Sequence, residues 1–159
     1  IFPLRMKKNS AKIPLTIMLS AIFFNLINGF TNGYFLGAVS NYSNSYIFNF
    51  NFIAGLTIFI CGVIINFKSD NILIKIKSQN NDYQIPHGSF YRYISCPNYF
   101  GEIIEWLGFY IMTLSIPALI FAIWTIANLL PRALATHRWY NNKFNNYPKN
   151  RKAIIPFIL

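Results

Sequence analysis

Two short stretches of this chain carry side chains suited to a polar ligand. In SCPNYFGEIIEW, Asn98, Glu102 and Glu105 stand at i, i+4 and i+7. In a helix they share one face. In NFKSD, Asn66 and Asp70 stand four apart and share a face in the same way. Each stretch offers an amide beside a carboxylate, groups that suit ribose hydroxyls and a carboxamide. Lys75, Lys77 and Arg92 lie between the two stretches and can donate to phosphates. That inventory matches a dinucleotide. The glycine fingerprint of a Rossmann site is missing: no GxGxxG follows a strand, and no strand-rich segment exists to carry one. Gly101 and Gly108 read instead as helix-packing glycines.

The glutamates are expensive where they stand. The chain holds four acidic residues, and two of them open an apolar run. A carboxylate near a helix N-terminus gains about 0.3–1 kcal/mol from the dipole. An unpaired charge in a membrane helix costs about 2.5–3.5 kcal/mol on insertion scales. The dipole alone does not cover that cost, so a cation, a hydrogen-bonded ligand or a water-filled cavity must. The plainer reading, two surface glutamates capping a helix, competes evenly on position alone.

Other chemistries find no support. Neither Cys61 nor Cys96 has metal-ligand company, and two cysteines make no disulfide framework. There is no HExxH and no nucleophile elbow. His87 falls in a loop and His137 in a basic tail, and a lone histidine is more often structural than catalytic.

The elements that must position these residues are membrane helices. Residues 13–67 contain no Asp, Glu, Lys or Arg, and neither do residues 106–131. A bilayer core takes about 20 apolar residues per helix, so these tracts hold several spans. The apolar helical tracts are 13–38, 47–67 and 98–134. The net charge of +10 sits at their ends, as in cytoplasmic loops, and argues against nucleic acid. The fold class expected is all-α, a polytopic integral membrane helical bundle with no Rossmann domain. Residues 39–46 form an uncharged connector on the side away from the cytoplasm. Residues 68–97 are the cytoplasmic loop, with a short helix over SDNILIKIK capped by Ser69 or Asp70. Both flanks of 98–134 are basic, so two short helices with a break near Pro117 are expected there. Residues 135–159 read as an interfacial anchor, cations toward headgroups and aromatics at the belt.

Three blocks are familiar. YQIPHGSFYRYISCPNYFGEIIEWLGF (residues 83–109), HRWYNNKFNNYPKNRKAIIPFIL (137–159) and GVIINFKSDNIL (62–73) closely resemble the steroid 5α-reductase (3-oxo-5α-steroid 4-dehydrogenase) family. The resemblance is specific from residue 47 to the end and weak before it. It implies an integral membrane, NADPH-dependent reductase that gives hydride to the β-carbon of a conjugated enone, a 3-oxo-Δ4-steroid or a similar lipid. The compartment implied is the endoplasmic reticulum in a eukaryote or the inner membrane in a bacterium. The family's cofactor-binding positions carry over onto Asn66, Asp70, Tyr83, Asn98, Glu102 and Tyr140.

Lys77 stands where members often have Arg, keeping charge but losing a planar fork. Gln84 stands where Arg is often found and loses the charge, and Thr136 precedes His137 where some members have consecutive histidines. The resemblance places the carbonyl-polarising Tyr and its acidic partner upstream of Ile1, so this chain reads as the C-terminal portion of the enzyme. On that reading Glu102 lines the cofactor pocket, and Glu105 pairs with a cation or supports the site from behind. Alternatives kept open are reduction of another lipid enone (an enoyl thioester or a polyprenol), a membrane methyltransferase using S-adenosylmethionine, and an inactive remnant.

Overall fold

The computed structural model describes residues 14–79 and 83–159. They form four helices, α1 (Leu15–Tyr34), α2 (Phe50–Gln79), α3 (Pro97–Thr113) and α4 (Ile116–Lys143). Among the described residues there is no sheet, only one isolated parallel bridge between Ile94 and Lys152. Among the described residues, three helical segments are long and apolar enough to cross a membrane: Leu15–Val39, Phe50–Gln79 and Ile116–Lys143.

The first tract is one helix despite its glycines. It starts at Pro14, whose carbonyl accepts from the N–H groups of Ile17 and Met18, and closes in a π turn at Phe35–Val39. The connector that follows is tied to the far end of α3. The hydroxyls of Tyr42 and Tyr46 donate to the carbonyls of Thr113 and Met112 at 2.5 and 3.2 Å. Those carbonyls are orphans of a helix C-terminus.

α2 differs from the expected span plus separate short helix. It runs unbroken from Phe50 to Gln79, about 45 Å at 1.5 Å per residue. Ser69 does not cap a new helix. It is buried, and its hydroxyl donates back to the Ile65 carbonyl at 2.6 Å. The reason is simple: no Gly or Pro lies between Val63 and Gln79 to stop the ladder.

The break in the last tract falls at Leu114–Ser115. Leu114 takes a left-handed conformation (φ 49°) and its N–H reaches the Tyr110 carbonyl. Ser115 then caps α4, accepting from the Ala118 N–H at 3.3 Å. Pro117 sits in the first turn of α4, where its missing N–H costs nothing. The second helix is not short. It continues through Pro131 to Lys143, about 42 Å, and takes in the start of the basic tail.

α2 and α3 pack antiparallel through glycines at heptad spacing. A methyl at Gly62 would stand 2.5 Å from the Glu105 nitrogen and 2.7 Å from the Gly101 carbonyl oxygen. One at Gly101 would stand 2.6 Å from the Asn66 nitrogen. Gly55 and Gly108 meet each other's helices in the same way, at Met112 and Phe59. Backbone therefore lies on backbone, as small residues permit in membrane helices.

The chain end closes the structure on the basic side. Ser95 and Cys96 N–H groups donate to the carbonyls of Lys152 and Ala153, and the Lys152 N–H donates to Tyr93. Tyr147, Arg151, Ala153 and Ile154 are buried. Ile154 joins Cys96 and Ala133 in a core covered by Tyr99, Phe100, Ile103 and Leu130. The tail is thus a packed lid over the ends of α3 and α4. Its Trp139, Ile155, Phe157, Ile158 and Leu159 stay exposed, and of these Phe157 and Ile158 reach furthest into the open for the anchor expected there.

Candidate functional site

The glycine register fixes which polar residues meet. Gly62 faces Glu105, and Asn66, one turn on, faces Gly101. One further turn brings Asp70 to the first turn of α3, where Asn98 stands. Asn66, Asp70, Asn98 and Glu102 therefore collect where the two helices emerge together. Asp70 is close enough to interact electrostatically with Glu102, Tyr99 and Tyr91. Arg132 of α4 lies close enough to act on Glu102 and Tyr99. Glu105 has Glu102 as its charged neighbour. Arg132 is the cation within reach of Glu102, where it opposes the like charge of Asp70.

Tyr91 forms the back of this cluster. It is 1% exposed, and its hydroxyl has no hydrogen-bond partner among the described residues. Burial pushes that hydroxyl well above the ordinary phenol range, so it stays a neutral donor. A buried donor left unmade costs about 1–3 kcal/mol. Cys96 beside it is likewise no nucleophile: burial pushes its thiol up to about 12.

Tyr83 and Tyr140 form a second group, on the other side of Tyr91. Tyr83 is exposed and meets Trp139 edge-on at 5.1 Å, and Trp139 meets Tyr140 at 5.0 Å. Tyr140 is buried and stacks on Tyr147 at 5.3 Å. Tyr91 lies within electrostatic reach of both Tyr140 and Asp70, so it joins the groups. Lys77 is exposed in the last turn of α2. It stands on the Asp70 face, about 10 Å further along the axis.

A hydrogen-bond knot behind Tyr147 holds this wall. Ser95 Oγ lies 2.6 Å from both the Tyr147 hydroxyl and His137 Nδ1, and donates to the Lys152 carbonyl at 3.2 Å. With its one hydrogen given to a carbonyl, Ser95 accepts from Tyr147 and from His137 Nδ1–H. His137 Nε2 then accepts from Asn141 Nδ2 at 3.0 Å. His137 is a satisfied neutral imidazole that positions the tail.

An apolar groove of about 320 Å³ opens between α1 and α4, lined by Phe24, Ile27, Phe121 and Trp124 with Asn28 and Thr31. Trp106 of α3 packs on Phe121 at 4.1 Å, one turn beyond Glu102. The groove and the polar cluster are therefore neighbours along α3.

Sequence reasoning passed over Tyr91, Ser95 and Tyr147, and saw Arg132 only as a flanking charge. Nothing local marks Tyr91 among three aromatic or basic neighbours, because its role comes from burial.

Residues 11–159 match the family model described as 3-oxo-5-alpha-steroid 4-dehydrogenase. The chain is 44% identical to the steroid 5-alpha-reductase DET2 of Solanum lycopersicum, covering 99% of this chain and 63% of that protein. It is 43% identical to the DET2 protein of Arabidopsis thaliana, with 99% and 63% covered. Against 3-oxo-5-alpha-steroid 4-dehydrogenase 1 of Rattus norvegicus it is 36% identical, with 100% and 61% covered. The chain thus spans somewhat less than two thirds of the length of these curated relatives. With its helical bundle, its glycine-registered polar cluster and a match over nearly its whole length, this chain belongs to the 3-oxo-5-alpha-steroid 4-dehydrogenase family.

Proposed function

We propose that the chain carries the NADPH-binding part of a membrane reductase acting on the conjugated C=C of a 3-oxo-Δ4-steroid or a similar lipid enone. The observation that carries this reading is the register of α2 on α3. It gathers two amides and two carboxylates beside a buried hydroxyl that has no partner among the described residues. An orphaned donor among ribose- and amide-compatible groups fits a dinucleotide.

In this reading Asn66, Asp70, Asn98 and Glu102 hold the ribose and carboxamide end. Tyr91 donates to the same ligand, and Tyr83 and Tyr140 flank it. Lys77 meets the phosphates as a point charge. Arg132 offsets part of the penalty that burial and Asp70 place on Glu102. When bound, the cofactor supplies the hydride for the enone β-carbon. The apolar groove beside Trp106 takes the hydrocarbon of the substrate and keeps water from it. The groups that polarise the substrate carbonyl are expected in the part of the relatives this chain does not span. The hydrophilic segments joining α2 to α3 face the cytoplasm, where NADPH is met.

The test is a cofactor titration of the purified chain with NADPH and with S-adenosylmethionine, alongside steroid-dependent NADPH oxidation by the full-length protein in membranes. NADPH binding and consumption with a Δ4-3-ketosteroid are expected. Consumption only with enoyl thioesters or polyprenols would move the substrate class. Binding of S-adenosylmethionine alone would overturn the proposal.

A further inference from the structure

A second polar cleft lies between the loop at residues 87–93 and the tail. It measures about 580 Å³, and His87, Ser89, Arg92, Asn150 and Arg151 line it with Tyr93. Among the described residues, no Asp or Glu lines it. Arg151 is 4% exposed, yet its Nε and Nη1 have no hydrogen-bond partner. Its Nη2 donates to His87 Nδ1 at 3.5 Å, a long contact, and the guanidinium lies over the Tyr147 ring at 5.2 Å. With Nδ1 accepting, His87 carries its proton on Nε2 and is a further donor. A buried guanidinium that meets no acid among the described residues is costly, so the cleft is built for an anion rich in acceptor oxygens, which is a phosphate.

What stands beside the cleft decides the source of that phosphate. Arg92 lies 5.9 Å from the Tyr93 ring centroid, and Tyr93 meets Phe157 at 5.4 Å. Phe157 is 78% exposed and Ile158 74%. Phe157 takes φ 66°, a strained conformation for a bulky residue. It is held by a turn in which Ile154 and Ile155 N–H groups both donate to the Leu159 carbonyl at 2.8 Å. An apolar prong is thus held out in the open next to a cationic cleft, on the side where α2, α3 and α4 leave their apolar stretches. A free nucleotide would have no use for the prong, whereas acyl chains would.

We propose that this cleft binds the phosphate of an anionic phospholipid whose acyl chains run along the Tyr93–Phe157–Ile158 prong. The lipid would fasten the tail to the bilayer surface and complete the donors of Arg151.

The chain in detergent micelles is titrated with phosphatidylglycerol, phosphatidylcholine, inorganic phosphate and 2′,5′-ADP, with retained ligand read by native mass spectrometry. One phosphatidylglycerol is expected, held about tenfold more tightly than phosphatidylcholine, and Arg92→Gln should weaken it about tenfold, as for one charge-assisted hydrogen bond. Phe157→Ala should weaken lipid retention without touching phosphate. Arg151→Gln is read only alongside its melting temperature, since that side chain is buried. Arg92 is exposed, so its variant keeps the test decisive. Equal retention of both lipids with Arg92→Gln indifferent would overturn the proposal. So would displacement of lipid by 2′,5′-ADP with Phe157→Ala silent, which would make the cleft a nucleotide site.

Discussion

Glycine occurs as a pair on α2, a pair on α3 and a triplet running from α1 into the π turn that closes it, and the sets meet different surroundings. Gly55, Gly62, Gly101 and Gly108 each lie where a methyl would strike the backbone of the facing helix. Gly29, Gly33 and Gly37 have nothing within 4 Å of that position. The first set sets the register of a seam, and through it the meeting of Asn66, Asp70, Asn98 and Glu102. The second set lies on a helix whose Leu15, Phe23, Leu26 and Phe30 are all more than 60% exposed. Identical residues thus set a helix–helix register in one place and leave an uncovered surface in the other. The seam is finished within this chain, and α1 is open to lipid or to protein outside it.

The sharpest way to break the comparison is Gly62→Val. Its side chain would push α3 off α2, costing about 3 kcal/mol, the upper end for overpacking. Thermal melting in detergent checks it, and a melting temperature within error of wild type would mean the seam is loose. Next in size is Glu102→Gln against Glu105→Gln. Removing a charged hydrogen bond to ligand at Glu102 costs about 1.5–3 kcal/mol, read as NADPH affinity, while Glu105→Gln has a smaller effect. Equal losses would refute the ranking.

Tyr91→Phe separates ligand from scaffold. Deleting an orphaned hydroxyl leaves the melting temperature of the free chain unchanged or raises it, and lowers NADPH affinity by about 1 kcal/mol. A drop in free-chain stability would show the hydroxyl to be satisfied within the fold. The smallest effect is expected for Gly33→Ala. In open space it gains helix propensity, up to about 1 kcal/mol. A clear loss measured in the full-length protein, but not in this chain, would show that another segment covers α1 at that stripe.

The break before α4 shows how local chemistry can speak and still be misread. Pro117 marked the hairpin, but a proline tolerated in a first turn signals a helix start two residues earlier, and the corner itself is Leu114 in a left-handed conformation. The same local reading cut α2 at Ser69, because a serine beside an aspartate looks like a cap. With no Gly or Pro to end the ladder, the hydroxyl turned back to Ile65 instead.

What the sequence by itself determined was the solvent. Charge-free tracts bounded by cations demand a bilayer, and two amide–carboxylate pairs at helical spacing suit a polar ligand, since both readings follow from periodicity along one chain. The tail was different. Its cations and aromatics suit a headgroup layer as well as a core, and only the pairing of residues 93–96 with 152–153 buried Tyr147 and Arg151. Tyr91, in the same way, became an orphaned donor only because three separate elements closed around it. Burial and hydrogen-bond satisfaction belong to contacts between segments far apart in sequence, and for that reason the tertiary structure alone decided which polar groups were left waiting for a partner.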